Sequence, residues 1–177
     1  MSSRSQILTA NALGLLLFST GCFSTTQADQ PAPGETAGKC ITPVEADRLA
    51  DQVLQLLNLE RAERSLAPVV LNSRLRVVAE EYACRMAEAK FFGHRDPETG
   101  DGPRERAIAG RYRYYAVGEN LAAGPDAAAE VMKLWMESPS HRDIILDPTW
   151  REVGIAVRTG PDDTIYWVQE FGDPADF

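Results

Sequence analysis

The hydrophobic period changes once along the chain, and this change limits the fold more than any other feature. Leu49, Val53, Leu56 and Leu57 recur at helical spacing, as do Leu75, Val78, Ala79, Tyr82 and Met86. Near the carboxyl end the period becomes two. Val153, Ile155 and Val157 alternate, Thr159-Gly160-Pro161-Asp162-Asp163 turns, and Ile165, Trp167, Gln169 and Phe171 alternate again. Helical period first and a hairpin last predict an α+β domain with helices packed on a small antiparallel sheet.

The local signals refine this plan. Thr42-Pro43-Val44-Glu45 reads as a capping box with proline at the first helical position, so a helix is expected from there to about Leu66, ahead of Pro68. Val69 to Leu71 reads as a short extended link, and Asn72 as the cap of a second helix that runs to about Phe92-Gly93. A short helix is expected around Arg104 to Ile108, and a third long one capped by Asp126 and ended by Pro139. Tyr112, Tyr114, Tyr115 and Gly118-Glu119-Asn120 are expected on a loop, with Asn120 bracing the turn at Gly118.

Residues 1–21 read as an export signal: Arg4 is followed by an apolar run, Ile7 to Phe18, too short to span a bilayer permanently. Ser19-Thr20-Gly21-Cys22 resembles a lipobox, which would make Cys22 a lipidated amino terminus and the chain a lipoprotein of the cell envelope. Cleavage after Ala28 is the competing reading and would give a secreted protein. Residues 22–41 form a tether rich in Pro, Gly, Ala and Thr, and residues 42–177 the folded domain, of a size that buries about 70% of its unfolded surface. In an oxidising compartment Cys40 and Cys84 form an even pair, so a disulfide from the start of the first helix to the middle of the second is expected.

A net charge of −8, with 26 acidic against 18 basic residues, opposes nucleic-acid binding. The basic stretch Arg104 to Arg113 is broken by Glu105 and apolar residues and reads as a solvated, salt-bridged face. Membrane association is expected only through the amino-terminal lipid. His94 and His141 are the only histidines, each placed just past an expected helix end in a polar stretch. With Glu119 they could hold a divalent cation or form a hydrogen-bonded cluster around a polar ligand. There is no His-Glu-x-x-His or Gly-x-Ser-x-Gly. Ser138 and Ser140 read as helix termination, residues 96–102 as a turn rather than a calcium loop, and Trp135 and Trp167 as core.

Phe92-Gly93-His94, Gly118-Glu119-Asn120-Leu121, Trp135 to Arg142, Glu152-Val153-Gly154-Ile155 and Tyr166-Trp167-Val168-Gln169 occur in that order. Together with Asn58-Leu59-Glu60-Arg61, which resembles an N-x-x-R motif, this set resembles the bacterial branch of the CAP superfamily of cysteine-rich secretory, antigen 5 and pathogenesis-related proteins. The resemblance covers about residues 48–173. It implies a three-layer α-β-α sandwich whose central cleft is lined by His94, Glu119 and His141 and can bind a divalent ion such as zinc. The second acidic cleft residue of the animal and plant branch falls here on Ser138, with Glu137 one position early, and the asparagine usual in bacterial members is Ile144. Glu152 belongs to the bacterial pattern but reads as structural. Some members bind sterols or other lipids and others act as secreted interaction proteins. The incomplete acidic set favours a non-catalytic module, binding a small-molecule, lipid-like or protein ligand, over the alternative of a metal-assisted or histidine-based hydrolase using His94, Glu119 and His141.

Overall fold

The computed structural model describes residues 39–176. The export signal, Cys22 and most of the tether lie outside the described residues. The tether's last two residues belong to the domain instead: Cys40 is bridged to Cys84, with Cα atoms 5.2 Å apart, and Ile41 forms an antiparallel bridge with Thr159.

Among the described residues, five helices surround one four-stranded sheet. In chain order the elements are α1 (Ala46–Ala62), β1 (Val70–Leu71), α2 (Ser73–Ala89), α3 (Pro103–Ala109), β2 (Tyr114–Ala123), α4 (Ala128–Glu137), α5 (Pro139–Ile145), β3 (Glu152–Thr159) and β4 (Ile165–Pro174). The strand order is β1-β3-β4-β2. The expected hairpin pairs β3 with β4, and β2 adds antiparallel to β4. The sheet is mixed rather than wholly antiparallel, because Val70 and Leu71 pair parallel to β3.

The alternation of β3 and β4 separates two cores. Val153, Ile155, Val157, Trp167 and Phe171 face one side, where Leu49, Val53 and Leu57 of α1 and Val131 and Trp135 of α4 bury them. Ala156, Tyr166 and Val168 face the other, against Ala79, Tyr82, Ala83 and Met86 of α2. This is the three-layer α-β-α arrangement. Gly154 permits the close approach of α2: a Cβ there would lie 2.1 Å from the carbonyl carbon of Leu75. The expected core tryptophans are buried, with Trp135 and Trp167 at 1% and 0% exposure.

Helix boundaries show which local signals prevailed. Asn72 caps α2 as expected, its side chain accepting from the amides of Arg74 and Leu75. Thr42 does not cap α1. Residues 42–45 make a turn in which the Ala46 amide reaches the Pro43 carbonyl, and the helix begins at Ala46. It ends at Ala62, four residues before Leu66. Helix α2 stops at Ala89, because Lys90 takes a left-handed conformation with φ 56°. Asp126 is not the cap of α4; Ala127 holds that position. Pro139 does not merely end α4 but opens α5, where its missing N–H costs nothing.

The Asn58-x-x-Arg61 motif ties α1 to the rest of the domain. Asn58 pairs both ways with the backbone of Val69. Arg61 is fully buried and donates to the carbonyls of Ala67, Ile145, Asp147 and Trp150. A buried guanidinium without a carboxylate partner is costly unless its donors are used, and here the end of α5 and the turn into β3 supply the acceptors.

Candidate functional site

The expected loop around Glu119 is the edge strand β2. Residues 114–123 lack clean polar–apolar alternation because the strand serves both layers. Successive side chains point to opposite faces, so Glu119 turns toward α2 and α3 while Asn120 turns toward α5. Gly118 is required by packing and not by a turn, since a Cβ there would meet the Trp150 ring at 2.8 Å. Asn120 likewise does not brace its own turn. It is buried and donates to the His141 carbonyl at 3.1 Å and to Gln169 Oε1 at 3.3 Å.

His94 arrives from the other layer. The left-handed Lys90 ends α2, the Tyr82 hydroxyl donates to the Gly93 carbonyl, and the chain then enters a turn organised by Asp96. That carboxylate accepts from the amides of Glu98 and Thr99 and from Arg85 Nε at 2.6 Å. Arg85 and these amides hold its pKa far below the usual carboxylate range. The expected turn over residues 96–102 is therefore an Arg85-anchored loop that presents His94.

Glu119 is the centre of the site. It is 3% exposed, and both oxygens are engaged: Oε1 meets His94 Nδ1 at 2.7 Å, and Oε2 accepts from Arg106 Nη2. Arg106 also donates to the carbonyls of His94 and Asp101 through Nη1, and its guanidinium carbon lies 3.3 Å from the centre of the Tyr82 ring. A carboxylate paired with a guanidinium is ionised, which assigns the Nδ1 proton to His94 and leaves Nε2 as its outward nitrogen.

The sequence does not single out Arg106. The run from Arg104 to Arg113 is not a uniformly solvated face, because α3 turns Arg106 inward, to 11% side-chain exposure, against Glu119. The spacing of α3 around buried Ala107 carries a trace of this, but the neighbouring charges mask it. Glu170 is the second residue that sequence reasoning misses. It lies directly opposite Glu119 in the β2–β4 register and is 1% exposed. Its Oε1 lies 3.6 Å from Arg106 Nη2. Burial, then the charge of Glu119 and a hydrogen bond with its carboxyl group, push the Glu170 pKa well above the carboxylate range, which favours the protonated form. Tyr82, under the guanidinium, is pushed up to about 12, chiefly by burial.

His141 lies in α5, not past a helix end, and its backbone is held by Asn120. Its pKa is lowered by burial and then by the charge of His94. The structure thus brings His94 onto Glu119, and ties His141 to the same strand through its backbone carbonyl, held by Asn120. Ser138 and Ser140 bond to each other, at 3.3 Å between their hydroxyls. Glu152 is structural, accepting from Asn72 at 3.0 Å and from the Tyr112 hydroxyl at 2.8 Å.

The donor set does not fit a three-ligand metal centre. Among the described residues no group of three or more His, Cys, Asp or Glu could hold a metal ion. Glu119 has spent both oxygens, which leaves two imidazoles where a structural zinc site uses four protein ligands and a catalytic one three.

The family model of the cysteine-rich secretory proteins, CAP, matches residues 54–171. The chain belongs to this family. The CAP match includes His94, Arg106, Glu119, His141 and Glu170. A curated relative, the uncharacterized protein YkwD of Bacillus subtilis, is 29% identical over 148 residues, which are 82% of this chain and 56% of YkwD. A second, the uncharacterized membrane protein YlbC of the same organism, is 26% identical over 68% of this chain and 33% of its own length. The chain therefore corresponds to little more than half of one curated CAP relative and a third of the other. Among solved structures, an outer surface protein of Borrelia burgdorferi has the same fold, with TM-score 0.69 and 23% identity over 78% of this chain and 99% of its own. An extracellular protein containing an SCP domain from Bacillus anthracis gives TM-score 0.66 and 22% identity over 75% of this chain and 44% of its own. Among the described residues no helix is long and apolar enough to cross a membrane.

Proposed function

We propose that this CAP domain is a non-catalytic, exported binding module that holds a hydroxyl-bearing small or lipid-like ligand between His94 and His141. The observation that carries the reading is the 2.7 Å contact of His94 Nδ1 with buried Glu119. It fixes the tautomer so that Nε2 can accept a hydrogen bond from the cleft, while His141, kept neutral by burial, can donate one. A ligand hydroxyl needs such a pair, one acceptor and one donor. The similar folds of an extracellular Bacillus protein and an outer surface Borrelia protein support the exported part of the reading.

With only two histidines in the chain, the imidazole resonances report the cleft without further labelling. Titration with soluble saccharides, short-chain glycerophospholipids and hydroxylated fragments is expected to yield compounds that shift both imidazoles together, with binding lost in His94→Ala and in His141→Ala. Compounds that bind but move neither imidazole would place the ligand elsewhere and end this reading.

The same His94–Glu119 pair supports a second reading, a histidine-based hydrolase in which His94 acts as general base. Among the described residues no nucleophile is bonded to the base, and Ser138 and Ser140 pair with each other, so water would have to serve. This reading requires turnover of a peptide or envelope substrate that disappears in Glu119→Ala. No turnover across a broad panel would remove it.

A further inference from the structure

We infer that Arg106 is the residue that sets the specificity of the histidine cleft: it commits Glu119 to an internal ion pair, so that the two imidazoles accept an uncharged hydrogen-bonding group and reject a divalent cation. The inference rests on the ligand-binding reading above and refines it.

A histidine whose Nδ1 is held by a carboxylate is, taken alone, well disposed to bind a metal through Nε2. What matters is the charge behind it. Arg106 donates to the second oxygen of that carboxylate, and the pair carries no net charge. A divalent cation arriving at His94, whose side chain is 56% exposed, would therefore meet a guanidinium as well as a carboxylate, and that pair is buried behind the imidazole, where charges are poorly screened. Glu170 could have restored an anionic balance, but it is fully buried opposite Glu119, where burial, the Glu119 charge and a hydrogen bond with that carboxyl group favour its protonated form.

Arg106 cannot simply swing away to release Glu119. Its second terminal nitrogen is bonded to the carbonyls of His94 and Asp101, and its flat face lies on Tyr82. Arg106 therefore holds both partners of the dyad, the backbone of His94 and the side chain of Glu119. Removing its charge while keeping its bulk would leave an unneutralised carboxylate behind His94 Nδ1, which favours a cation at the outward Nε2.

The test uses zinc chloride as the probe, with calorimetry and the two imidazole resonances as readouts, on the full chain and on Arg106→Gln and Arg106→Lys. Arg106→Gln is expected to bind zinc at least about tenfold more tightly than the wild type, with both imidazoles shifting in one complex. Arg106→Lys keeps the charge and is expected to behave as the wild type. A gain of binding cannot be mistaken for a failure to fold. Tight zinc binding by the wild type, an equal gain in both variants, or no gain in a folded Arg106→Gln would each overturn the inference. Should Arg106→Gln not fold, the wild type and Arg106→Lys decide: no saturable zinc binding in either upholds it, and saturable binding in either overturns it. A wild type that binds zinc tightly yet still binds the hydroxylated fragments would sink this inference alone. A wild type that binds no fragment would sink the ligand-cleft reading whatever zinc does.

Discussion

Two inward-turned arginines, one fully buried and one largely so, sit at opposite ends of this domain's chemistry. Arg61 is surrounded by carbonyl oxygens, and its donors are spent on backbone from Ala67, Ile145, Asp147 and Trp150. Burial lowers its pKa, with Asp147 only partly opposing. Arg106 divides its donors between the carbonyls of His94 and Asp101 and the Glu119 carboxylate, stacks on an aromatic ring, and has no partner for its Nε among the described residues. The first joins α1 to the segment that follows it, to the end of α5 and to the turn into β3. The second adjusts the charge of one carboxylate. A cation whose partners are all backbone can only hold the chain together, whereas one that also pairs a side-chain carboxylate sets that carboxylate's charge.

The contrast can be broken by substitution. Arg61→Met should cost the most, about 3–5 kcal/mol, because several buried carbonyls lose their donor at once. Chemical denaturation would show this, and a loss below about 1 kcal/mol would refute the account of Arg61 as a staple. Near neutral pH the folded Arg61→Met protein should also show a displaced His141 resonance, since α5 loses its anchor.

Glu170→Gln should act more gently and only through pH. An acid whose folded pKa is raised holds its proton in the native state after the unfolded chain has released it. Its contribution to stability is therefore present in acid and declines as pH rises above the ordinary carboxylate range. The wild type should lose roughly 2–4 °C in Tm toward alkaline pH that Glu170→Gln does not lose. Parallel curves for the two proteins would mean that Glu170 is charged in the fold. The smallest effect is expected at His141, whose folded pKa is depressed. The unfolded chain takes up that proton first, so stability falls as pH drops below about 6.5. His141→Gln should remove this acid-side loss, worth under about 1 kcal/mol, as a pH series of melting curves would reveal.

Much of the architecture was legible in the sequence because its signals were local. Asn72 capped its helix, the alternations around residues 153–157 and 165–171 made their hairpin, and Cys40 found Cys84. What could not be read was set by tertiary neighbours. Strand β2 escaped recognition because an edge strand that buries Glu119 on one face and Asn120 on the other shows no polar–apolar alternation. Pro139 carries two meanings, the end of one helix and the first turn of the next, and only packing chooses between them. Thr42 has the residues of a cap, but the bridge from Ile41 to Thr159 directs the backbone elsewhere. In the site, His94, Glu119 and His141 stood out because of their rarity and local strings. Arg106 was hidden among other arginines, and Glu170 acquires its role only from the strand opposite.

The linkage of Cys40 to Cys84, together with the Ile41–Thr159 bridge, fixes where tension on the preceding chain would travel. Traction applied ahead of Cys40 would pass through sulfur into the middle of α2 and through backbone into the end of β3. Helix α1, which follows the junction, would carry none of it, and neither would the β2 strand that bears Glu119. Because Cys84 stands between Tyr82 and Arg85, which hold the loop that presents His94, tension would reach that loop while leaving Glu119 in place, and reducing agent would remove this path.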